Sequence, residues 1–498
     1  MEFIKRIGNS IEKHFDHNAL CINNTFYTYR DFAIAVSKIR TAIIDRIADS
    51  EKIIGLVTND DLETYASIIA LWLEGKAYVP VNPSTPLERN IKIFELTETK
   101  YVIDSSETSI YNDYEVIVST NLTDTIIDLI PKACLGDQLA YILFTSGTTG
   151  LPKGVPITFD NVGSLVNAID AEPEFNLVAS DRCLQMFELT FDFSVVTYLF
   201  PILSGACMYT IPKNAIKYFY IFKLIIEQKL TVLTMVPSII NYLRPYFSEI
   251  NTPDVRYCSF GGGALHNDIA KEWSDCLPNC KIFNYYGPTE FTVYSGFYPY
   301  HKITNQKAHN GIIAIGTPHK DTTYLIVNEK NEEVSVDTTG ELCLSGPQMT
   351  SGYWKNEKRN SQSFFTRSEN GKEVKYYKTG DLCFKDQEGD FLYVGRADFQ
   401  VKIRGYRVEL AEIEFHAKTG ADKKNNIVAL DIYNNLGNAE LGLVIESEKF
   451  DVEQLFDYMK KKMPNYMIPT HVRFVKEFPH SINGKIDRKE LRKYFQHK

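Results

Sequence analysis

Over the first three hundred residues, short apolar runs alternate with amphipathic stretches, and that alternation favours open sheets flanked by helices. Ile53–Thr58 reads as a buried strand, Glu63–Leu73 as a helix and Ala77–Val81 as another strand. Tyr101–Ile103, Tyr141–Phe144, Thr231–Met235 and Lys281–Asn284 continue the series. From about Ile312 the texture changes to short strands with turn signals, at Thr323–Val327, Gly340–Ser345 and Asp390–Val394. A more β-rich portion is expected there. At 498 residues the chain exceeds the size at which a single core keeps growing, so two or more structural units follow.

Charge supplies a boundary. The whole chain carries a net −9, which argues against non-specific binding to nucleic acid or anionic membrane. Residues 399–498 hold 18 Lys/Arg against 14 Asp/Glu, a net +4, so the remainder carries −13. The reading is therefore a body of residues 1–398 and a small basic α+β domain of residues 399–498, with a helix at Val452–Lys462 and a short hinge between them. Nine Cys are scattered from Cys21 to Cys383; the closest pair, Cys276 and Cys280, lacks a second pair to complete a zinc site. Reduced thiols in a cytoplasmic protein are expected. The N-terminus has no signal-peptide core, and no apolar run reaches the ~18 residues of a membrane span.

Four blocks carry chemistry. In Tyr141-Ile-Leu-Phe-Thr-Ser-Gly-Thr-Thr-Gly-Leu-Pro-Lys-Gly154 an apolar strand runs into six Thr, Ser or Gly residues and then a lysine. Glycines let backbone N–H groups approach a polyanion, hydroxyls add donors and Lys153 adds charge. That is a phosphate-cradling composition, though a surface turn is the plainer alternative, and it is not a Walker A loop. In Asn284-Tyr-Tyr-Gly-Pro-Thr-Glu290, Gly-Pro turns the chain sharply at a strand end. Thr289 and Glu290 there are either hard oxygen ligands suited to Mg²⁺ or the cap of a helix start. Tyr377-Lys-Thr-Gly-Asp381 and Gly395-Arg-Ala-Asp398 place carboxylates at glycine turns, suited to ribose hydroxyls or to turn chemistry alone. Ile482-Asn-Gly-Lys-Ile-Asp-Arg488 sets Lys485 at the edge of a tight turn.

Taken together and in this order, these blocks resemble the acyl-adenylate-forming superfamily of amino-acid adenylation domains, acyl-CoA ligases and luciferases; Gln400-Val-Lys-Ile-Arg-Gly405 belongs to the same pattern. Phe191-Asp-Phe-Ser194 and the ending Asn-Gly-Lys-Ile-Asp-Arg resemble the amino-acid adenylation domains of nonribosomal peptide synthesis. The stand-alone D-alanine–carrier protein ligases match most fully, through the stretch Glu412-Ile-Glu-Phe-His416 as well. The resemblance implies a large N-terminal domain of two αβαβα-type layered subdomains plus a distorted β-barrel, then a small α+β domain on a hinge.

It also implies a reaction in two halves. A carboxylate attacks the α-phosphorus of ATP, giving an acyl-adenylate and pyrophosphate; a carrier protein's phosphopantetheine thiol then displaces AMP. Because one anion attacks another, charge neutralisation and in-line positioning dominate. By resemblance, Thr145, Ser146, Gly147, Thr148, Thr149 and Lys153 hold the departing phosphates, Glu290 binds Mg²⁺, and Asn284, Tyr285, Tyr286 and Thr289 belong to the nucleotide site. Asp381 takes the ribose hydroxyls with Arg396 assisting. Lys485 serves the first half-reaction, Asp398 is the hinge, and Lys402 serves the second half.

Asp192 stands where the family pairs the substrate's ammonium group, which ordinarily loses its proton only near pH 8 and so is charged at neutral pH. A helix N-cap is the alternative. The implied side-chain pocket comprises Phe193, Val196, Ser238, Ser259, Gly261, Gly262, Tyr285, Val293 and Tyr294. Gly261-Gly-Gly263 stands where the D-alanine ligases have Cys-Gly-Glu, and Tyr285 where they have a small residue. With no charged position beyond Asp192, a small apolar or polar-neutral side chain is favoured. The expected partner is a carrier protein supplied in trans. The competing readings are an aryl or fatty acid–CoA ligase and a catalytically inactive nucleotide-binding regulator.

Overall fold

The computed structural model describes residues 2–147, 152–302, 306–398, 400–421, 426–479 and 486–495. Its elements follow the alternation in the sequence: strand Ile53–Val57, helix Leu62–Leu73 and strand Ala77–Val81 form a parallel crossover. Asp61 starts that helix by accepting Thr64 N–H at 2.9 Å, a standard N-cap. The helix is buried from Thr64 to Leu73, and the Trp72 indole donates to the Ala140 carbonyl at 2.9 Å, tying it to the strand Leu139–Thr145.

Two compact units account for the chain. The first comprises Met1–Asn82, Phe94–Leu143 and Gly154–Ala397; the second comprises Pro83–Ile93, Phe144–Lys153 and Asp398–Lys498. A six-stranded sheet has the order Glu115–Val118, Tyr101–Asp104, Ile53–Val57, Ala77–Val81, Leu139–Thr145, Lys153–Thr158. In a nine-stranded sheet, Lys281–Tyr286, Tyr257–Phe260, Val232–Met235, Arg182–Gln185, Cys207–Thr210 and Asn18–Ile22 lie side by side and parallel, with antiparallel strands at both edges. Parallel strands buried on both faces need uniformly apolar sequence, which is how these runs read.

The β-rich portion expected beyond Ile312 is a five-stranded antiparallel sheet. Thr323–Val327, Gly340–Ser345, Lys372–Lys385 and Phe364–Glu369 follow in order, and Phe391–Arg396 also pairs with the long strand Lys372–Lys385. Here the structure differs from the sequence reading: Tyr377–Asp381 is no isolated glycine turn but a bulge inside that long strand, between the pairs Cys343–Lys378 and Glu341–Leu382. The second unit has a hairpin, Gln400–Ile403 with Tyr406–Glu409, then helix Leu410–Gly420. A three-stranded sheet and helix Glu453–Lys462 complete its α+β core around Ile413, Leu443 and Met459.

All nine cysteines are free thiols; eight are buried and Cys134 is half-buried. Burial pushes the Cys207 and Cys258 thiols up to about 12, which keeps them protonated and unreactive. Among the described residues no helix is long and apolar enough to cross a membrane.

Candidate active site

The carboxyl ends of the parallel strands of the nine-stranded sheet gather most of the first unit's site residues, as expected of an open α/β sheet. Gln185 ends one strand seven residues before Asp192; Ser238 follows Val232–Met235; Gly261 and Gly262 follow Tyr257–Phe260; Tyr285 and Tyr286 end Lys281–Tyr286.

Asp381 is buried and both its oxygens are engaged. Tyr286 Oη donates to Oδ2 at 2.6 Å, and Arg396 Nη1 donates to Oδ1 at 2.7 Å. The Arg396 contact follows from strand register, since Asp381 and Arg396 are direct cross-strand partners. Burial first, and then the Asp381 charge, push the Tyr286 phenol far up, so it stays a donor. A carboxylate has about four acceptor sites, so two such bonds leave capacity for a vicinal diol. Asn284 is buried and its amide donates to the Ala314 carbonyl at 2.9 Å, anchoring the start of this turn.

Glu290 is fully buried in the 3₁₀ turn Thr289–Phe291. No side chain caps that turn, so capping does not explain the Thr-Glu pair. Instead Glu290 Oε1 accepts from Tyr353 Oη at 2.5 Å, and Tyr353 Oη lies 3.4 Å from Tyr377 Oη. The Thr289 side chain is half-buried beside it.

The next two residues carry backbone strain. Thr292 and Val293 have φ of 50° and 72°, a left-handed conformation that β-branched residues rarely adopt, at about 1–3 kcal/mol each. Gln348 holds them: it is 1% exposed, its amide donates to the Tyr294 carbonyl at 2.5 Å, and its own carbonyl accepts from Thr292 Oγ1 at 2.5 Å. Gly287 completes the clamp, because a Cβ there would sit 2.1 Å from the Val293 carbonyl oxygen. The strained pair aims the Tyr294 ring at Tyr285, on which it stacks at 4.2 Å and 18°.

Asp192 is buried and caps helix Phe193–Ser204, accepting Phe193 N–H at 2.9 Å. The cap is therefore real, and the carboxylate lies near enough to the Tyr294 and Tyr141 phenols for its charge to contribute, after burial, to raising both. Tyr141 Oη is buried with no hydrogen-bonding partner among the described residues. The Phe193 ring meets Tyr294 edge-on at 5.3 Å. Val196, Ser259, Tyr285 and Tyr294 together line a cavity of about 30 Å³. Of the pocket positions read from sequence, Phe193, Val196, Ser259, Gly261, Tyr285 and Tyr294 converge; Val293 acts through its backbone, and Ser238 and Gly262 stand at the neighbouring strand ends.

Within the second unit the Thr/Ser/Gly loop meets carboxylates. Lys153 Nζ pairs with Glu409 Oε1 at 2.7 Å, both side chains buried. Ser146 Oγ donates to the Arg407 carbonyl at 2.9 Å and accepts Glu409 N–H at 3.1 Å. Gly147 N–H donates to Glu412 Oε2 at 2.9 Å, while Arg89 pairs with Glu412 Oε1 at 2.6 Å. Thr145 Oγ1 is buried and has no partner among the described residues. Lys402 lies in the hairpin whose turn puts Arg404 and Gly405 at φ of 53° and 89°, the two-residue type that matches strand twist. Asp398 Oδ1 accepts Gln400 N–H at 3.1 Å. Thr148, Thr149 and Lys485 lie outside the described residues.

Sequence reasoning missed Gln348, Tyr353 and Glu409. Tyr353 and Gln348 have no local signal, being defined only by contacts across the fold, whereas Glu409 sits three residues before the Glu412 stretch already singled out.

The first unit thus holds a buried carboxylate between a tyrosine and an arginine and a second in the 3₁₀ turn after a strand end, and the second unit holds the Thr/Ser/Gly loop of an α/β enzyme. The chain belongs to the AMP-binding enzyme family, whose sequence profile matches residues 8–354; enzymes of this family use ATP. It is 30% identical over 508 residues to the D-alanine--D-alanyl carrier protein ligase of Lacticaseibacillus casei, covering 98% of each chain. It is also 29% identical over 495 residues to tyrocidine synthase 3 of Brevibacillus parabrevis, but spans only 7% of that protein. The fold is that of adenylation domains: the Vibrio cholerae adenylation domain AlmE, solved with glycyl-adenosine-5'-phosphate, superposes with a TM-score of 0.87 at 24% identity, over 99% of this chain and 97% of the other.

Proposed function

We propose that this protein activates an amino acid with ATP, forming an aminoacyl-adenylate and pyrophosphate, and passes the aminoacyl group to the phosphopantetheine thiol of a separate carrier protein. The observation that carries the reading is Asp192, a buried carboxylate at the start of helix Phe193–Ser204, whose Val196 lines a cavity with no charged residue in its lining. A buried anion there suits a substrate ammonium group and would repel the substrate of a fatty or aryl acid–CoA ligase, which brings no cation. The full-length match to D-alanyl carrier protein ligases supports the same conclusion.

Each residue then has a task. Asp381 orients the ribose through its remaining acceptor capacity, with Tyr286 and Arg396 fixing its rotamer. Thr145, Ser146, Gly147, Thr148, Thr149 and Lys153 receive the pyrophosphate end of ATP, with Ser146, Gly147 and Lys153 exchanging their Arg407, Glu412 and Glu409 partners for phosphate oxygens. Asn284 and Thr289 brace the turn between them. Glu290 fits a single-carboxylate Mg²⁺ site, since that ion commonly uses one or two carboxylates together with substrate phosphates. When bound, Mg²⁺ supplies charge neutralisation at the phosphates. Lys485 supplies the further cation that lets carboxylate approach phosphate. Asp398 is the hinge between residues 1–398 and 399–498, and Lys402 serves thioester formation. The +4 tail favours encounter with an acidic carrier protein.

Pyrophosphate exchange against a panel of amino acids, aryl acids and fatty acids tests the reading. Amino-acid-dependent exchange is expected. Exchange driven only by aryl or fatty acids, or an Asp192→Ala variant with undiminished amino-acid activation, would overturn it.

A further inference from the structure

The first helix, Glu2–Lys13, turns its polar face to a cavity. Phe3, Ile4, Ile7 and Ile11 are buried on its core side, while Arg6, Asn9, Ser10 and Lys13, three and four residues apart, line a space of about 520 Å³. The ends of helices Phe159–Asp170 and Phe193–Ser204 and the segment of residues 175–179 form the other walls. Small-molecule sites commonly measure about 300–1,000 Å³. Asp192, Glu290 and Asp381 do not belong to this lining.

The walls are fixed without a ligand. Ser10 Oγ donates to the Ile202 carbonyl at 2.7 Å, and His14 Nδ1 donates to the Ser10 carbonyl at 2.8 Å. Gly205, at a φ of 74°, leaves room for the His14 ring, which a Cβ there would meet at 2.3 Å. Tyr29 Oη takes the Ala206 carbonyl at 2.7 Å, so the acceptors of Ile202 and Ala206 at this helix end are already used. The donors, by contrast, are uncommitted. Among the described residues Lys13 has no ion pair, and the side chains of Asn9 and Asn176 make no hydrogen bond. Arg6 pairs with Asp170, but their side chains are 37% and 43% exposed, and an ion pair so placed contributes little, so an entering anion can share Arg6. Arg6 and Lys13 against Asp170 leave the cavity positive, although residues 1–398 carry a net −13. Opposite them Phe175, Leu177, Phe200 and Leu203 supply an apolar floor.

We infer that this cavity is a second ligand site, which takes a small amphipathic anion. Lys13 and Arg6 hold its acidic head, and a short aliphatic or aromatic body lies on Phe175, Leu177 and Leu203. The inference does not depend on the reaction proposed above. Ile169, Phe175, Leu177 and Phe200 also line the smaller cavity beside Tyr285 and Tyr294, so they form a partition between the two spaces.

Isothermal titration calorimetry of the full chain with hexanesulfonate is the test, since this probe joins a permanent anion to an alkyl chain and has no carboxylate to be adenylated. One saturable site with a Kd of about 1 mM or tighter is expected, as for a small ligand in a preformed pocket. Sulfate alone and 1-hexanol alone should each bind at least about tenfold more weakly, because each lacks half of the complementary surface. Lys13→Glu should weaken hexanesulfonate at least about tenfold. Asn9→Trp, which fills the cavity from an exposed helix position, should abolish binding. Saturating ATP with an amino acid should leave binding in place. Near-UV circular dichroism establishes that the variants are folded; should Asn9→Trp not fold, Lys13→Glu and the wild-type series carry the test. The inference is overturned by the absence of a saturable site, by binding that ATP or the amino acid abolishes, by sulfate or hexanol binding as tightly as hexanesulfonate, or by folded variants that bind like the wild type.

Discussion

Asp192 performs two tasks that substitution can separate. As an N-cap it needs only an acceptor oxygen, which asparagine also provides. As an ammonium partner it needs a negative charge. Asp192→Asn should therefore leave thermal stability within about 1 kcal/mol of wild type while lowering amino-acid-dependent exchange at least about 100-fold, with ATP binding retained. Asp60 makes a different prediction. Burial pushes its pKa up to about 6 from an ordinary value of 3.8; the hydrogen bond that Tyr65 donates to its carboxylate and the nearby Lys213 and Lys217 oppose the shift, and Asp61 adds to it. The folded chain thus holds a proton that the unfolded chain has released between those values. The associated stability is fully present below pH 3.8 and is lost as the pH rises through about 6. A displacement of that size corresponds to roughly 1–3 kcal/mol, so Asp60→Asn should be more stable than wild type at pH 7–8, with a flatter urea midpoint between pH 4 and 6. Unfolding curves at four pH values check it.

At the scale of elements, the segment between Glu290 and Gly296 is where local sequence and structure part company. Nothing in Thr292 or Val293 announces positive φ; β-branched residues ordinarily argue for extended backbone. The conformation exists because Gln348, more than fifty residues away in sequence, supplies hydrogen bonds on both sides of it. Gln348→Ala should therefore relax the pair, loosen Tyr294 and raise KM for the amino acid more than KM for ATP, with a stability loss of about 1–3 kcal/mol from the unpaired buried carbonyls. Steady-state kinetics in both substrates read the difference. The neighbouring elements were far more legible. Strands Ala77–Val81, Thr323–Val327 and Gly340–Ser345 have the limits that their apolar runs indicate, because period and turn residues agree there. The bulge at Tyr377–Asp381 was not legible, since a glycine within a motif looks the same in a turn and in a strand that three neighbours hold extended. The Asp381–Arg396 pair depends on that register and so could be inferred only by resemblance.

For the whole molecule, the change of texture near Ile312 was informative about architecture, because composition differs between layered α/β and antiparallel β regions. What composition does not carry is which distant loops a unit recruits: Pro83–Ile93 and Phe144–Lys153 group with the C-terminal residues through buried pairs such as Arg89–Glu412 and Lys153–Glu409. The catalytic scheme makes its prediction here. Lys485→Ala should abolish amino-acid-dependent pyrophosphate exchange, yet still transfer the aminoacyl group from supplied aminoacyl-adenylate to a phosphopantetheinylated carrier protein. Intact-mass analysis of the carrier reads the second step directly, and parallel loss of both steps would show that the lysine is not confined to the first.

The cysteines lend the folded protein a built-in gauge. With eight sulfur atoms interred and Cys134 alone near the surface, a brief pulse of maleimide should add one tag to each intact molecule and nine to each denatured one. A mass spectrum taken after such a pulse then separates the two populations as distinct peaks, and the fraction of any destabilised variant that opens in a crude extract can be read without purification, a fluorophore or an engineered handle.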